Sequence, residues 1–215
     1  MKRMMLVAAV VMAGILAGAA MAQDRPGLAL GGFYENRTDN EVGGDNLEFD
    51  YYGVRLKLRD ERWFEGYVDL GVQKAEWGAY DSDDSGFFGL GGTLWLLRAE
   101  DLMIPLDLGV YGSFHTGECD LKADAGPAVN GDYTRVVGQA VARAAGYGVA
   151  KPFLRAGLMR SHLDVSGFGD DDDWDTTNPA LNVGVELEAG EQLVLTLEGH
   201  YSEGAGFTVR VDFWF

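Results

Sequence analysis

Two polar residues near the end of the chain have the spacing of a catalytic pair. His200 and Ser202 occur in the stretch GHYSEG. On an extended strand they would share a face about 7 Å apart. A serine nucleophile needs a histidine base within hydrogen-bonding reach and a third group that orients the histidine. The acids after Ser202 are Glu203 and Asp212, and neither is well placed for this role.

Acidic stretches raise the question of a metal site. DSDDSG begins like a calcium loop, with Asp81, Asp83 and Ser85 in the first ligand positions. The twelfth position is Gly92 where such a loop needs Glu, so the pattern predicts no selective calcium site. No resident metal or cofactor is expected. The four aspartates at 170–173 indicate loosely bound divalent cations at most.

The amino-terminal segment indicates export. Residues 1–22 begin with Lys2 and Arg3, continue apolar to about Ala20 and end on a small-x-small site, which is typical of a secretory signal peptide cleaved before Gln23. An uncleaved membrane anchor is the alternative, but the apolar run is short for one.

Residues 23–215 are predicted to form one domain. They carry 15 basic and 34 acidic side chains, a net charge of −19, so nucleic acid is excluded as a partner. The single Cys119 cannot form an internal disulfide and has no companion ligands for a metal, so we expect an inert loop thiol. No later stretch has the roughly 20 apolar residues of a spanning helix, so any membrane insertion has to use strands.

The pattern of short and long connections indicates an all-β fold. Tight turns alternate with long polar loops between amphipathic segments, as in a transmembrane antiparallel barrel with both termini in the periplasm. Ten strands are predicted, with eight as the alternative. The predicted strands are 27–36, 46–58, 63–76, 86–97, 102–114, 132–145, 151–164, 178–188, 192–201 and 206–215.

One of these segments also fits a helix. In YTRVVGQAVARAAGYG, Val136, Val137, Ala140, Val141, Ala144 and Ala145 would share one helical face. A helix here would leave nine strands and place the carboxyl terminus outside the cell. We therefore favour a strand over 132–145.

Alternation assigns charged residues to the interior of the barrel. Tyr52, Val54, Leu56 and Leu58 would face lipid, which turns Arg55 and Lys57 inward on the second strand. Glu65 and Asp69 face inward on the third strand. The four should pair with one another, because an unpaired charge in a narrow lumen is costly. Arg210 and Asp212 join them from the last strand.

The ending GFTVRVDFWF carries a resemblance to a known class. Phe207, Val209, Val211, Phe213 and Phe215 form one apolar face. With the signal peptide and the repeated hairpins, this resembles the small outer-membrane β-barrel proteins of Gram-negative bacteria, the OmpX and OmpA transmembrane-domain class. The resemblance implies residence in the cell outer membrane, contact with its lipid and lipopolysaccharide, and insertion by the barrel-assembly machinery, which would read the terminal Phe215.

The resemblance leaves several functions open, because small barrels share a fold and differ in activity. His200 and Ser202 resemble the His-x-Ser pair of outer-membrane lipid A deacylases. His115 and His162 fall near the rim, where an outer-membrane protease would need histidine and carboxylates. We expect instead a non-enzymatic barrel with acidic loops, serving a structural or surface-interaction role or forming a narrow, porin-like, cation-preferring pore. Inward-facing glycines (Gly53, Gly71, Gly89, Gly91, Gly109 and Gly184) would leave space in the lumen.

Overall fold

The computed structural model describes residues 27–42, 45–60, 62–78, 80–123, 129–145, 148–166, 172–202 and 204–215. The predicted signal peptide lies outside the described residues. No helix in the described part of the chain is long and apolar enough to cross a membrane.

Strands account for most of the chain, because apolar and polar residues alternate along each segment. The elements are β1 (Gly27–Val42), β2 (Asp45–Arg59), β3 (Phe64–Trp77), β4 (Tyr80–Ser82), β5 (Ser85–Leu97), α1 (Ala99–Leu102), β6 (Leu106–Ala123), β7 (Val129–Ala144), β8 (Ala150–Ser166), β9 (Asp172–Ala189), β10 (Leu193–Tyr201) and β11 (Ala205–Trp214).

Ten of the strands close into an antiparallel barrel, which confirms the predicted fold and strand number. Each barrel strand pairs with the next along the chain, and β1 pairs with β11 to close the ring. The short β4 lies outside the ring and pairs with β3 and β6. Closure removes the free edges that lipid would not tolerate.

The segment that also fitted a helix is strand β7. It pairs with β6 and β8 along nearly its whole length. The helical interpretation of 132–145 is therefore wrong. Its small residues lie on the outer face of the strand, where alternation is hard to recognise because Gly138, Ala140 and Ala142 are barely apolar.

Several strands continue beyond their predicted ends. β6 reaches Ala123 and β9 begins at Asp172, because polar segments that read as loops pair above the apolar zone. The connections at the other end stay short, and α1 forms one of them. Long strands on one side and tight turns on the other give the barrel a projecting extracellular wall.

The outer surface is apolar all round. Every barrel strand places at least one large, exposed apolar side chain there, as a lipid-facing band requires. One from each strand is Leu30, Val54, Leu70, Leu94, Val110, Val136, Leu158, Val183, Leu197 and Val211. The predicted inward and outward assignments of β2, β3 and β11 agree with this surface.

Candidate functional site

The structure places His200 and Ser202 in different surroundings. His200 lies inside the barrel and is 6 % exposed. Its Nε2 donates to the Asn36 carbonyl at 2.9 Å, and its Nδ1 accepts from Arg37 at 3.2 Å. These partners fix the neutral tautomer and occupy both ring nitrogens. Ser202 lies beyond the end of β10, where its backbone N–H donates to the Gly204 carbonyl.

The other two histidines lie on opposite sides of the wall. His115 faces the lumen, where its Nε2 is 3.5 Å from an Asp69 oxygen and its Nδ1 accepts from Arg135 at 3.1 Å. His162 lies on the outer face and pairs with Asp175 at 3.3 Å. The strand wall separates them, so they do not form the rim site that a protease would need.

The calcium-like stretch does not form a loop around a metal. Asp83 pairs with Lys122, and the Ser85 hydroxyl donates to the Asp83 carbonyl at 3.3 Å. Gly92, the twelfth residue, lies in the middle of β5 within the apolar band. The described residues contain no group of three or more acidic, histidine or cysteine side chains arranged to hold a metal ion. Of the four aspartates at 170–173, the first two lie outside the described residues.

The predicted charge network exists at the centre of the lumen, with one pair as expected. Arg55 and Asp69 are Cα partners on β2 and β3 and share two hydrogen bonds of 2.5 Å. Lys57 pairs instead with Asp212 of β11 at 3.1 Å, and Arg210 reaches the same carboxylate at 3.2 Å. Barrel closure brings these strands to either side of β1, which explains the exchange of partners.

Glu65 also pairs differently from the prediction. Its carboxylate accepts from Arg143 of β7 at 3.0 Å and from the indole of Trp95 at 3.2 Å. Arg143 further binds Asp107 at 3.1 Å and Glu186 at 3.4 Å. One guanidinium therefore joins three carboxylates from three strands across the periplasmic half of the lumen.

A third cluster, which sequence reasoning missed, lies nearer the extracellular end. Glu35 accepts from Arg37 at 3.0 Å and from Arg135 at 3.2 Å. Below it, Arg155 binds Glu198. All five residues occupy inward positions in the alternation of their strands. The alternation therefore places their charges in the lumen once the register of each strand is known.

The inward-facing glycines make space that side chains then fill. A Cβ on Gly91 would lie 2.5 Å from the Tyr67 hydroxyl, and a Cβ on Gly89 would collide with the ring of His115. The expected gain in bore is therefore wrong at these positions, because large neighbours pack over the missing side chains. The remaining central cavity measures about 90 Å³.

Above the ion pairs, apolar side chains fill the extracellular end of the lumen. Their rings pack closely, with Phe49 and Tyr133 centroids 4.4 Å apart. Cys119 belongs to this group, so it is a buried strand residue rather than the expected loop thiol. We call the group the apolar plug. Its buried members are Phe33, Leu47, Phe49, Tyr51, Ala75, Phe87, Cys119, Leu121, Tyr133, Leu163 and Val165.

Comparison with known proteins supports the fold. No protein-family model matches the chain, and no curated protein is similar to it in sequence. The translocator domain of the autotransporter NalP from Neisseria meningitidis matches with 11% identity and a TM-score of 0.52, over 97% of this chain and 94% of that one. Ail of Yersinia pestis has 13% identity and a TM-score of 0.45 over 88% and 97% of the two chains.

The outer-membrane protease OmpT of Escherichia coli also matches, with 11% identity and a TM-score of 0.40 over 90% and 98% of the two chains. Sequence identities this low indicate a similar fold and give no information on activity. The closed ten-stranded barrel with its lipid-facing band defines the class: the chain has the fold of outer-membrane β-barrel proteins, and the apolar band fits the outer membrane as its location.

Proposed function

We propose that this barrel is closed to solutes and acts at the cell surface as a non-enzymatic interaction protein. The observation that carries the proposal is the apolar plug. Its core members are almost fully buried inside the extracellular end of the lumen, where an ion would have to pass. Ions do not enter such a dry, apolar region without a large desolvation cost. Of the two functions expected from the sequence, the surface role is favoured over the narrow pore.

The extracellular wall offers a surface for a partner. The β10–β11 hairpin is short, so β9 pairs with β10 only up to Leu181 and β1 pairs with β11 only up to Asn36. Above that level, the described residues 41–42 and 172–175 form a strand ladder with one neighbouring strand each, β2 and β8. A strand edge with a ladder partner on one side, here called an open edge, is a template for an additional strand.

The charge of the extracellular wall indicates which kind of partner would bind there. Four carboxylates lie directly opposite one another on the outer face of neighbouring strands, a feature we call the acidic row: Glu118, Asp132, Asp164 and Asp173. A basic, extended protein segment is therefore the partner that fits the open edges. Lipopolysaccharide surrounds the same level, and divalent cations would reduce its repulsion with the acidic row.

A non-enzymatic role is supported by the partners of His200. A general base must have a ring nitrogen free for the nucleophile. Asn36 and Arg37 occupy both nitrogens, which disfavours the lipid A hydrolase alternative. Mass spectra of lipid A from cells with and without the protein test this point. Loss of an acyl chain that disappears in Ser202→Ala would contradict the non-enzymatic role.

Two further measurements test the proposal. Planar bilayers containing the folded protein should show no stepwise conductance, and steady channels would contradict the closed lumen. For the surface role, the probe is a synthetic extended peptide of alternating Lys and Val. Lengthening the β10–β11 hairpin by six residues on each arm should extend its pairing along both open edges and weaken peptide binding at least tenfold. A Gly-Ser insertion of equal length in the 190–192 turn serves as the control.

A further inference from the structure

The periplasmic end of the lumen contains a cavity that the surface role does not use. It measures about 290 Å³, and its lining includes the first residue of β1 and the last residues of β2 and β11. We call it the vestibule. Its lining includes five cationic side chains: Lys57, Arg59, Arg98, Arg143 and Lys151.

The acids of the vestibule are already engaged. Glu65 and Glu186 bind Arg143. Glu188 binds Lys151 at 2.5 Å. The Asp60 carboxylate accepts three backbone N–H groups of the β2–β3 turn. Each of these four carboxylates therefore already has a cationic or backbone donor as a partner within the protein.

Several donors of the vestibule, by contrast, lack an acceptor. The Trp214 indole Nε1 and the Arg143 Nε are buried without a hydrogen-bond partner, and their residues are 5 % and 8 % exposed. Arg59 makes no ion pair with the described residues, and its guanidinium lies over the Trp214 ring at 4.0 Å. Tryptophan and arginine can only donate, and none of the described residues supplies an acceptor to these two N–H groups.

We propose that the vestibule binds a small oxyanion, carrying a carboxylate or phosphate group, from the periplasm. Arg59 supplies a positive charge that no described carboxylate pairs with, and the Trp214 N–H is a donor without a partner among the described residues. Lys57, 5.3 Å from the Trp214 ring, adds to the positive potential although Asp212 neutralises part of it. Guanidinium groups hold oxyanions with charge-assisted hydrogen bonds.

The dimensions of the vestibule limit the ligand. It has room for several water molecules, since a cavity of about 10–15 Å³ measured in this way already holds one. The three-carboxylate contact of Arg143 lies between the vestibule and the central cavity, both of which it lines. A small free anion therefore fits, and it would stop at the periplasmic end.

Indole NMR of the folded, ¹⁵N-labelled mature protein tests the proposal directly. The chain has five tryptophans, so Trp→Phe variants assign each N–H signal. Inorganic phosphate and acetate are added separately at constant ionic strength, because general screening would otherwise shift the signals. We expect a saturable shift of the Trp214 signal. A linear or absent response to both anions would overturn the proposal.

Matched variants locate the site. Arg59→Gln should weaken anion binding at least tenfold. Arg62→Gln should leave it unchanged, because Arg62 also stacks on a tryptophan, Trp63, but outside the vestibule. Trp214→Phe keeps an aromatic ring and removes the N–H donor. Anion binding to this variant is followed by calorimetry. Equal weakening by Arg59→Gln and Arg62→Gln would overturn the proposal.

Two controls separate binding of a free anion from other causes of a change in the Trp214 signal. Heat-modifiable migration on gels shows that each variant is folded before it is titrated. Nanodiscs of phosphatidylglycerol and of phosphatidylcholine distinguish a free anion from a lipid headgroup. If phosphatidylglycerol alone moves the Trp214 signal and both soluble anions do not, the site is a lipid contact and the proposal of a free oxyanion fails.

Discussion

Arg55 and Asp69 lie directly opposite each other on β2 and β3 and share two hydrogen bonds of 2.5 Å in the centre of the lumen. Asp69 is fully buried, and Arg55 is 7 % exposed. Arg55 also lies over the Tyr67 ring at 3.6 Å. The pair is thus enclosed, and Asp69 is the carboxylate that Arg55 contacts among the described residues.

This geometry predicts unequal costs for two similar changes. Asp69→Ala leaves the buried Arg55 without its carboxylate and should lower the free energy of unfolding by about 3 to 5 kcal/mol. Glu65→Ala leaves Arg143 with Asp107 and Glu186, so we expect about 1 to 2 kcal/mol. Urea unfolding in lipid vesicles measures both. Equal losses, or a larger loss for Glu65→Ala, would contradict the assigned partners.

The sequence predicted the fold and the faces of the strands, but only part of the interior pairing. Alternation places Arg55, Lys57 and Asp212 in the lumen because side chains of a strand face opposite sides in turn. It does not say that Lys57 meets Asp212, since that contact depends on barrel closure around β1. Arg143 reaches Glu65 across the lumen, and such a contact depends on barrel radius and side-chain length.

The apolar plug was missed although its pattern is visible. In LEFDYYG, Leu47, Phe49 and Tyr51 continue the inward positions of Arg55 and Lys57 toward the extracellular end. Inward apolar residues at the ends of several strands indicate a dry core above the lipid band. The polar neighbours of these residues read as loops, which hid the strand extensions.

Assembly should depend on the terminal aromatic residue. The Phe215 ring is 72 % exposed toward lipid, and its backbone N–H donates to Leu28 at the β1–β11 seam. Phe215→Ser keeps this backbone bond but removes the ring that resembles the assembly signal. We expect less folded protein in the outer membrane and unchanged secretion, measured by heat-modifiable migration of membrane fractions.

The control for this change is Phe207→Ser, which removes another exposed aromatic from the same apolar face of the chain's end. It should reduce the folded amount much less. Normal folded amounts for Phe215→Ser would show that the last residue acts only as part of a strand.

Shrinking the apolar plug should open the barrel. Phe49→Ala with Tyr133→Ala removes two buried rings in mutual contact. Water can then enter the space, and we expect small conductance steps in planar bilayers where the parent protein shows none. Phe207→Ala on the lipid face should remain silent. If the double variant is folded and equally silent, the plug does not block the lumen.

The hydrogen bonds of Asp60, in a periplasmic turn, predict that the stability of the fold depends on pH. Partial burial opposes ionisation of its carboxyl group, but hydrogen bonds from the N–H groups of Phe64, Trp63 and Arg62 outweigh it and lower the pKa. A carboxyl with a lowered folded-state pKa stabilises the fold above its unfolded pKa, about 4, and loses this contribution as the pH falls through the folded value.

Asp60→Ala should therefore be less stable than the parent at pH 7, and the difference should shrink below about pH 4. Urea midpoints across this range measure it. Glu191→Ala, at an exposed position in another periplasmic turn, is the control and should show little difference at either pH. A difference for Asp60→Ala that stays constant with pH would contradict the carboxylate's role.

The acidic row should destabilise the extracellular wall. Asp132 lies between Glu118 and Asp164 as their direct cross-strand partner, and all three side chains are exposed. Like charges in this position repel, so Asp132→Asn should raise the free energy of unfolding by about 0.5 to 1 kcal/mol at low salt. The gain should fall at high salt or with magnesium, which screen or neutralise the repulsion.

The matched control is Asp50→Asn on the same outer face. The Asp50 carboxylate accepts hydrogen bonds from the Tyr34 hydroxyl at 2.7 Å and the Asn36 amide at 2.9 Å, so its neutralisation should be destabilising. Urea titrations at low and high salt measure both variants. If the geometry of the row determines its effect, the two variants should change the free energy of unfolding with opposite signs. A gain of equal size for both would mean that total charge matters and that the alignment of the four carboxylates does not.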